Sequence, residues 1–305
     1  MSDQTIDPGL GEKFGGKTKR IINPDGSFNV KRNNTGYSPR DIYHFLVNLS
    51  WTKFFLLVFA GYFLVNLLFG TVYYMIGVEN LRNAVDKSHM QSYLNAYFFS
   101  VQTFTTVGYG GLVPTGFAAN FVASIEAMIG LLGFAIATGL LYGRFSRPSA
   151  RILFSRNAVV APYRGINALM FRLANQRNND IIEVEANVLA VFKDKDTNNR
   201  KYFGMNLERN SVYFFPLSWT VVHPIDDQSP FYNKTIDKLR ELQTEILVQF
   251  KGFDDTFSQT VHTKYSYSLD EIVWNAKFKP AFEPDHNGEI IFDLNRIHDY
   301  EVVKT

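Results

Sequence analysis

The sequence predicts a two-span α-helical membrane domain joined to an all-β domain of immunoglobulin-like sandwich type. Three observations predict it. Residues 54–76 carry no charge and residues 117–143 carry only Glu126, so each stretch can cross a bilayer. Between them lie a shorter apolar stretch and the loop Thr105-Thr106-Val107-Gly108-Tyr109-Gly110-Gly111. From about Ser149 onward, short alternating runs separated by turn residues replace the long apolar ones.

The 305 residues leave room for about two domains. The reading divides them into an N-terminal cytoplasmic segment (1–40), a membrane domain with an interfacial helix (41–148) and a cytoplasmic β-sandwich (149–305). A formal charge of +2, 31 basic against 29 acidic residues, gives no reason to expect nucleic acid as a partner. The chain has no cysteine, which removes disulfide and thiol chemistry. Its first residues are polar, with Pro8 and several glycines and no apolar core of signal-peptide type, so the first span is expected to insert itself.

Along the chain, Asp41-Ile42-Tyr43-His44-Phe45-Leu46-Val47-Asn48-Leu49-Ser50 has apolar residues at helical spacing, and Asp41 suits the start of a helix. It reads as a short helix lying on the inner membrane face; the alternative is that it extends the first span. In the first span, 54–76, Asn66 is the most polar residue, and Trp51, Tyr73 and Tyr74 fit interfacial aromatic belts. Residues 93–105 are apolar but too short to cross, which suits a re-entrant helix buried by protein. The second span, 117–143, contains Gly130, Gly133, Gly139 and Gly143, where helices can approach closely or bend.

Orientation follows from the basic residues. Arg144, Arg147, Arg151 and Arg156 crowd the exit of the second span, and Lys31, Arg32, Arg40 and Lys53 precede the first. The connecting loop holds only Arg82 and Lys87, so both termini are expected on the cytoplasmic side of the cell (inner) membrane.

Thr-Val-Gly-Tyr-Gly is the loop by which potassium pores present carbonyl oxygens to a dehydrated ion. Four copies of Thr106, Val107, Gly108 and Tyr109 would stack rings of backbone carbonyls, with the Thr106 hydroxyls innermost. Gly108 and Gly110 permit the positive φ values that turn successive carbonyls toward one axis. Val107 and Tyr109 are then expected to point outward and brace the loop against the short helix, whose carbonyl end favours a cation. A phosphate-binding fingerprint is excluded, because the loop opens no helix at a strand end.

In the β half, 181–192 alternates, with Ile182, Val184, Ala186, Val188, Ala190 and Phe192 on one face and Glu183, Glu185 and Asn187 on the other. Residues 212–219, 245–250 and 261–268 are further expected strands, 235–242 a short helix, and 224–230 and Asn287-Gly288 turns. Nothing here has a Rossmann pattern, and no segment has arginine at every third position, so no voltage sensor is expected.

At these residues the chain resembles the inward-rectifier potassium channels, most closely their prokaryotic members, from about Asp41 to its end. Beyond the loop, the markers are Arg147-Pro148, Phe154-Ser155-Arg156-Asn157-Ala158-Val159, Arg172-Leu173-Ala174-Asn175, the run from Pro216-Leu217-Ser218-Trp219 to His223-Pro224-Ile225-Asp226, and Tyr267-Ser268-Leu269-Asp270-Glu271-Ile272-Val273-Trp274. The resemblance implies a homotetramer around one axial pore that continues into a cytoplasmic vestibule. It implies that Tyr142 is the bulky residue at the inner bundle crossing. Phe134 and Thr138, eight and four residues before it, then share roughly its helix face toward the pore. Thr256, Phe257 and Ser258 fall in the loop that narrows the vestibule. Potassium ions are expected in the loop, and no organic cofactor is expected.

Departures from the family pattern carry expectations of their own. Strong rectifiers have an acidic or amide residue where this chain has Phe134, and an acidic vestibule residue where it has Lys251, although Asp254 and Asp255 are near. Block by polyamine or magnesium is therefore expected to be weak. The eukaryotic Glu behind the loop is Gln102 here, and the outer Arg is replaced by Gly111-Leu112, so that ion pair is absent. Glu126 lies about 80° around the helix from Phe134, and a carboxylate in a span costs ~2.5–3.5 kcal/mol or more. It is expected to brace the loop together with Gln102; the alternative is a protonated acid that is merely tolerated. Arg147 and Arg151 are sparser than the eukaryotic lipid-binding run and are read as anionic-lipid contacts, or as residues that only fix topology. His44 and His89 are the candidate pH sensors, with an ordinary structural role as the alternative.

The leading reading is a passive potassium-selective channel gated from the cytoplasmic side. The alternative is a membrane sensor or scaffold with a mostly closed pore, whose sandwich binds a ligand or partner.

Overall fold

The computed structural model describes residues 6–11, 20–33, 41–84, 88–146, 151–194 and 199–303. Arg40, Lys87 and Arg147 lie outside them. The chain divides into two compact units, Asn34–Arg147 and Met1–Asn33 with Pro148–Thr305.

In the first unit, helix α1 (Asp41–Asn48) has Asp41 in its first turn, where an acidic side chain suits the helix dipole. It does not run on into the first span: Leu49 and Ser50 break it, and Ser50 is extended (φ −60°, ψ 153°) where α2 (Trp51–Ile76) begins. Helix α2 has 26 residues and α4 (Gly116–Phe145) has 30, lengths of about 39 and 45 Å that exceed the ~30 Å hydrocarbon core. Helix α2 begins three residues before the expected 54 and ends at the expected 76, and α4 is longer than expected at both ends. Helix α3 (His89–Phe104) starts four residues before the expected 93, because Ser88 caps it by accepting from the Gln91 N–H at 3.3 Å. A ribbon of β1 (Leu81–Arg82) and β2 (Val113–Pro114) ties the loop after α2 to the stretch before α4.

The second unit is a sandwich of two five-stranded sheets. In chain order its strands are β3 (Ile152–Phe154), β4 (Ala158–Tyr163), β5 (Ile166–Asn175), β6 (Ile181–Lys193), β7 (Arg200–Gly204), β8 (Ser211–Phe214), β9 (Ser218–Pro224), β10 (Glu245–Asp254), β11 (Gln259–Ser268) and β12 (Ile272–Trp274). One sheet runs β11-β10-β6-β7 with β8 also on β6; the other runs β12-β4-β5-β3 with β9 on β5. All pairings are antiparallel except β12 with β4. Helix α5 (Ile236–Glu241), capped by Thr235, precedes β10. Two small antiparallel ribbons, β13 (Ala276–Phe278) with β16 (Tyr300–Val302) and, between them in the chain, β14 (Phe282–Pro284) with β15 (Ile290–Phe292), complete the unit.

Between the sheets Val184, Ala186, Val188 and Ala190 meet Leu169, Phe171 and Leu173, with Ile246, Val248 and Phe250 beside them. Tyr267 is fully buried there and its hydroxyl donates to the Ser155 carbonyl at 2.9 Å. Residues of the N-terminal stretch pack on the same unit: Ile21 and Ile22 are buried with Val191, Tyr202 and Leu247. The Arg20 guanidinium reaches Glu271 at 2.9 Å and the Ser266 carbonyl.

Two strand expectations change. Residues 212–219 are not one strand; β8 and β9 belong to different sheets, and the chain crosses over at Phe215-Pro216-Leu217, where Pro216 has no N–H for a ladder. On β6 the expected face fails at its start: Ile181 is buried and Ile182 only partly so. A bulge explains it, since Glu183 has φ 50° and the register shifts between Lys251 and Phe253. Gly252 allows this close approach, because a Cβ there would stand 2.7 Å from Ile181 Cγ2 and 2.9 Å from Val184 Cγ1.

Candidate functional site

Helix α3 is wedged between the two spans, and glycines set the approach. On α2, a Cβ at Gly70 would lie 3.0 Å from the Tyr97 Cα; on α4, a Cβ at Gly130 would overlap the Phe104 carbonyl. Gly130 is thus a close-approach residue, whereas nothing stands within 4 Å of a Cβ at Gly139.

The loop leaves α3 through a tightened turn. The Thr106 N–H donates to the Thr103 carbonyl at 3.0 Å, and the Val107 and Gly108 N–H groups donate to the Gln102 carbonyl at 3.0 and 3.4 Å. What Gln102 gives the loop is therefore its backbone oxygen. Thr106, Gly108 and Gly110 all have positive φ, at 58°, 55° and 77°. Positive φ at every second residue turns successive carbonyls to one side. Only the two glycines were legible for this; a β-branched residue at positive φ costs on the order of 1–3 kcal/mol and needs a surrounding that fixes it.

Val107 and Tyr109 do not pack on their own α3: they are 52% and 80% exposed within one chain. The outer end is tied locally, by the Asn83 amide donating to the Gly111 carbonyl at 3.1 Å and the Thr115 N–H donating to the Asn80 carbonyl at 2.7 Å.

Glu126 sits away from the loop itself. It is fully buried, and its carboxyl oxygens meet the Tyr73 hydroxyl of α2 at 2.7 Å and Ser100 Oγ of α3 at 2.5 Å. Ser100 Oγ also lies 3.1 Å from Asn66 Oδ1. Tyr73 is therefore no interfacial aromatic; it is buried edge-on against Phe99 at 4.9 Å. The sequence signal for this cluster was Glu126 itself, a span carboxyl that needs donors, with Asn66 as the most polar residue of the first span.

On α4, Phe134, Thr138 and Tyr142 all face away from their own chain, Phe134 and Tyr142 being 75% and 74% exposed. An apolar cleft of about 650 Å³ brings Phe134 and Leu140 to the same side as Thr106, Phe104 and Tyr62. Just beyond Tyr142, Arg144 bonds the end of α1.

In the β unit, Thr256, Phe257 and Ser258 form the tip between β10 and β11, with Ser258 at φ 49°. Asp254 is buried and accepts from the Phe257 N–H at 3.3 Å, so it offers no open charge; Asp255 is exposed. Lys251 lies opposite Glu185 across the sheet, with the two charges 3.4 Å apart. Arg151 is exposed. His44 is exposed, and His89 Nδ1 lies 3.1 Å from the Tyr74 hydroxyl.

Residues 152–305 match the family described as inward rectifier potassium channel C-terminal domain, and residues 61–147 match an ion channel family. The inward rectifier potassium channel Kirbac3.1 of Paramagnetospirillum magnetotacticum is 38% identical over 296 residues, 95% of this chain and 98% of that one. G protein-activated inward rectifier potassium channel 2 is 28% identical in Mus musculus over 312 residues and in Homo sapiens over 310, each covering 93% of this chain and 72% of the relative. The match to the alkylpurine DNA glycosylase AlkC of Pseudomonas fluorescens has a TM-score of 0.20 at 10% identity, over 62% of this chain and 48% of that one, and describes no shared fold. With a membrane unit of two apolar spans, an all-β unit and these relatives, the chain belongs to the inward-rectifier potassium channel family; it is a membrane potassium channel and not an enzyme.

Proposed function

We propose that Thr106, Val107, Gly108, Tyr109 and Gly110 form the selectivity filter, with potassium as the passing substrate. Channels of this family are tetramers in membranes. Four loops would place their carbonyls around one axis, and the Val107 and Tyr109 side chains, uncovered within one chain, would be packed by the neighbouring subunit. The observation that carries this reading is the alternation of positive φ at 106, 108 and 110, directly after the carbonyl end of α3. Backbone oxygens at fixed spacing replace water around the ion, and conduction is passive.

Phe134, Thr138 and Tyr142 line the inner path on this reading, and four Tyr142 rings close it by dewetting. The Thr256-Phe257-Ser258 tip is a second constriction, on the cytoplasmic path. Rectification is weak: Phe134 has no charge to attract polyamine or magnesium, and Lys251 is neutralised by Glu185. Both termini are cytoplasmic, and Arg147 and Arg151 meet anionic lipid at the inner leaflet. Gln102 and Glu126 support the filter, the first through its backbone and the second through α3.

Purified protein in liposomes tests this by rubidium uptake against a potassium gradient. Uptake blocked by barium and unaffected by sodium is expected. Absence of uptake favours a sensor with a closed pore, and uptake competed equally by sodium makes the pore a nonselective cation path.

A further inference from the structure

Four polar side chains from three membrane helices meet in one buried cluster. Asn66 and Tyr73 come from α2, Ser100 from α3 and Glu126 from α4, and none is more than 1% exposed. Their hydrogen count decides the state of the acid. The Asn66 amide nitrogen donates to the Tyr62 carbonyl at 2.8 Å, so the amide oxygen is the atom that faces Ser100. The Ser100 hydroxyl, with a single hydrogen, then stands between two acceptors: Asn66 Oδ1 at 3.1 Å and Glu126 Oε1 at 2.5 Å. Were Glu126 ionised, one of these two oxygen pairs would face each other with no hydrogen between them, a costly arrangement for buried polar groups.

We infer that Glu126 carries its proton and that this proton completes a one-way chain, in which Glu126 Oε1–H donates to Ser100 Oγ, Ser100 donates to Asn66 Oδ1 and Tyr73 donates to Glu126 Oε2. Every hydroxyl, carboxyl and amide oxygen of the cluster is then satisfied. The titratable group against Glu126 from α2 is Tyr73, itself a donor. The buried residues of α3, Ser92, Ala96, Phe99 and Ser100, do not titrate. Among the described residues no basic side chain forms an ion pair with Glu126.

Tyr73, Ser100 and Asn66 become positioning residues. Ser100 lies two residues before Gln102, whose carbonyl holds the N–H groups of Val107 and Gly108. The chain pins the last turns of α3 to both spans at once. This use rests on the pore reading; the protonation does not.

Infrared difference spectroscopy of the reconstituted channel at neutral pH tests it. The wild type should show a protonated carboxyl stretch, sensitive to deuterium exchange, that Glu126→Gln abolishes. Ser100→Ala should shift that band, because the acid loses its acceptor. Absence of the band, or a band unmoved by Ser100→Ala, overturns the proposal. Barium-sensitive rubidium uptake gives the functional arm. Glu126→Ala should lose it and Glu126→Gln, which mimics the neutral acid with an N–H donor toward Ser100, should restore it. Wild-type uptake should fall at high pH and Glu126→Gln uptake should not. Equal uptake in Glu126→Ala and wild type overturns the positioning role. A wild type that conducts nothing counts against the pore reading alone, since the spectra still decide the protonation.

Discussion

Arg144, at the base of α4, lies over the indole of Trp51 at the start of α2, with its guanidinium carbon 4.5 Å from the ring centroid. The same guanidinium donates to the carbonyls of Leu46, Val47 and Leu49 at 2.8, 3.0 and 2.7 Å. These are orphan acceptors at the end of α1 and the residue after it, and a cation there also suits the helix dipole. One side chain thus joins α1, α2 and α4, two residues from Tyr142.

Loss of this junction should be costly. Arg144→Ala is expected to destabilise the channel by about 2 kcal/mol, the range of a few charge-assisted hydrogen bonds and a cation–π contact. Arg144→Lys should recover only part of it, because a single ammonium cannot fork between three carbonyls. Thermal unfolding of the detergent-solubilised tetramer measures both; equal stability of Arg144→Ala and wild type would contradict the junction.

Gly130 and Gly133 should respond differently to the same added methyl. At Gly130 it overlaps the Phe104 carbonyl, a backbone atom just before the loop. Overpacking of this kind costs about 1–3 kcal/mol, and here it also displaces the end of α3. Gly130→Ala is expected to lose barium-sensitive uptake. At Gly133 the nearest atom is Phe104 Cζ at 3.7 Å, an ordinary contact, so Gly133→Ala should conduct like wild type. Uptake assays on both variants decide it.

The two spans, the loop and the sandwich were legible because each writes its own period into the sequence. Apolar length marks α2 and α4, Gly108 and Gly110 mark the turn of the loop, and alternation marks β6. What was hidden depends on contacts distant in sequence. The bulge at Glu183 needs Gly252 on another strand, and the crossover at Pro216 shows only once β8 and β9 are assigned to different sheets. Tyr73 reads as an interfacial aromatic until Glu126, 53 residues on, is placed against its hydroxyl. The positive φ of Thr106 had no signal, since threonine does not advertise that conformation.

A carboxylate at position 134 should strengthen polyamine block. Phe134→Glu would place a ring of four carboxylates where cytoplasmic spermine could bind. Block of outward flux should strengthen by at least about tenfold, since each such factor needs only 1.4 kcal/mol. Lys251→Gln should leave Glu185 without its 3.4 Å partner and strengthen block less. Spermine titration of outward potassium flux, compared with wild type, is the measurement. Strong block of wild type through the span would contradict the role given to Phe134.

His223 gives the β unit a defined pH response. It is buried, with Nδ1 donating to the Asn206 carbonyl at 2.6 Å and Nε2 accepting from Ser229 Oγ at 2.8 Å, a neutral ring with both nitrogens used. Burial holds its pKa below the ordinary histidine value, outweighing the Asn206 carbonyl and the charge of Asp226. The unfolded chain therefore takes up the proton first as pH falls through about 6.5. Stability is full above that value and declines below it until the folded ring also protonates. Unfolding temperature between pH 7.5 and 5.5 should fall less in His223→Asn than in wild type; parallel slopes would contradict this.

The central claim is that the loop from Thr106 to Gly110 selects potassium through its backbone. Reversal potential in a planar bilayer, with potassium on one side and sodium on the other, tests it most directly. Barium-sensitive current should reverse far toward the potassium equilibrium potential. Barium-sensitive current that reverses near zero would contradict it.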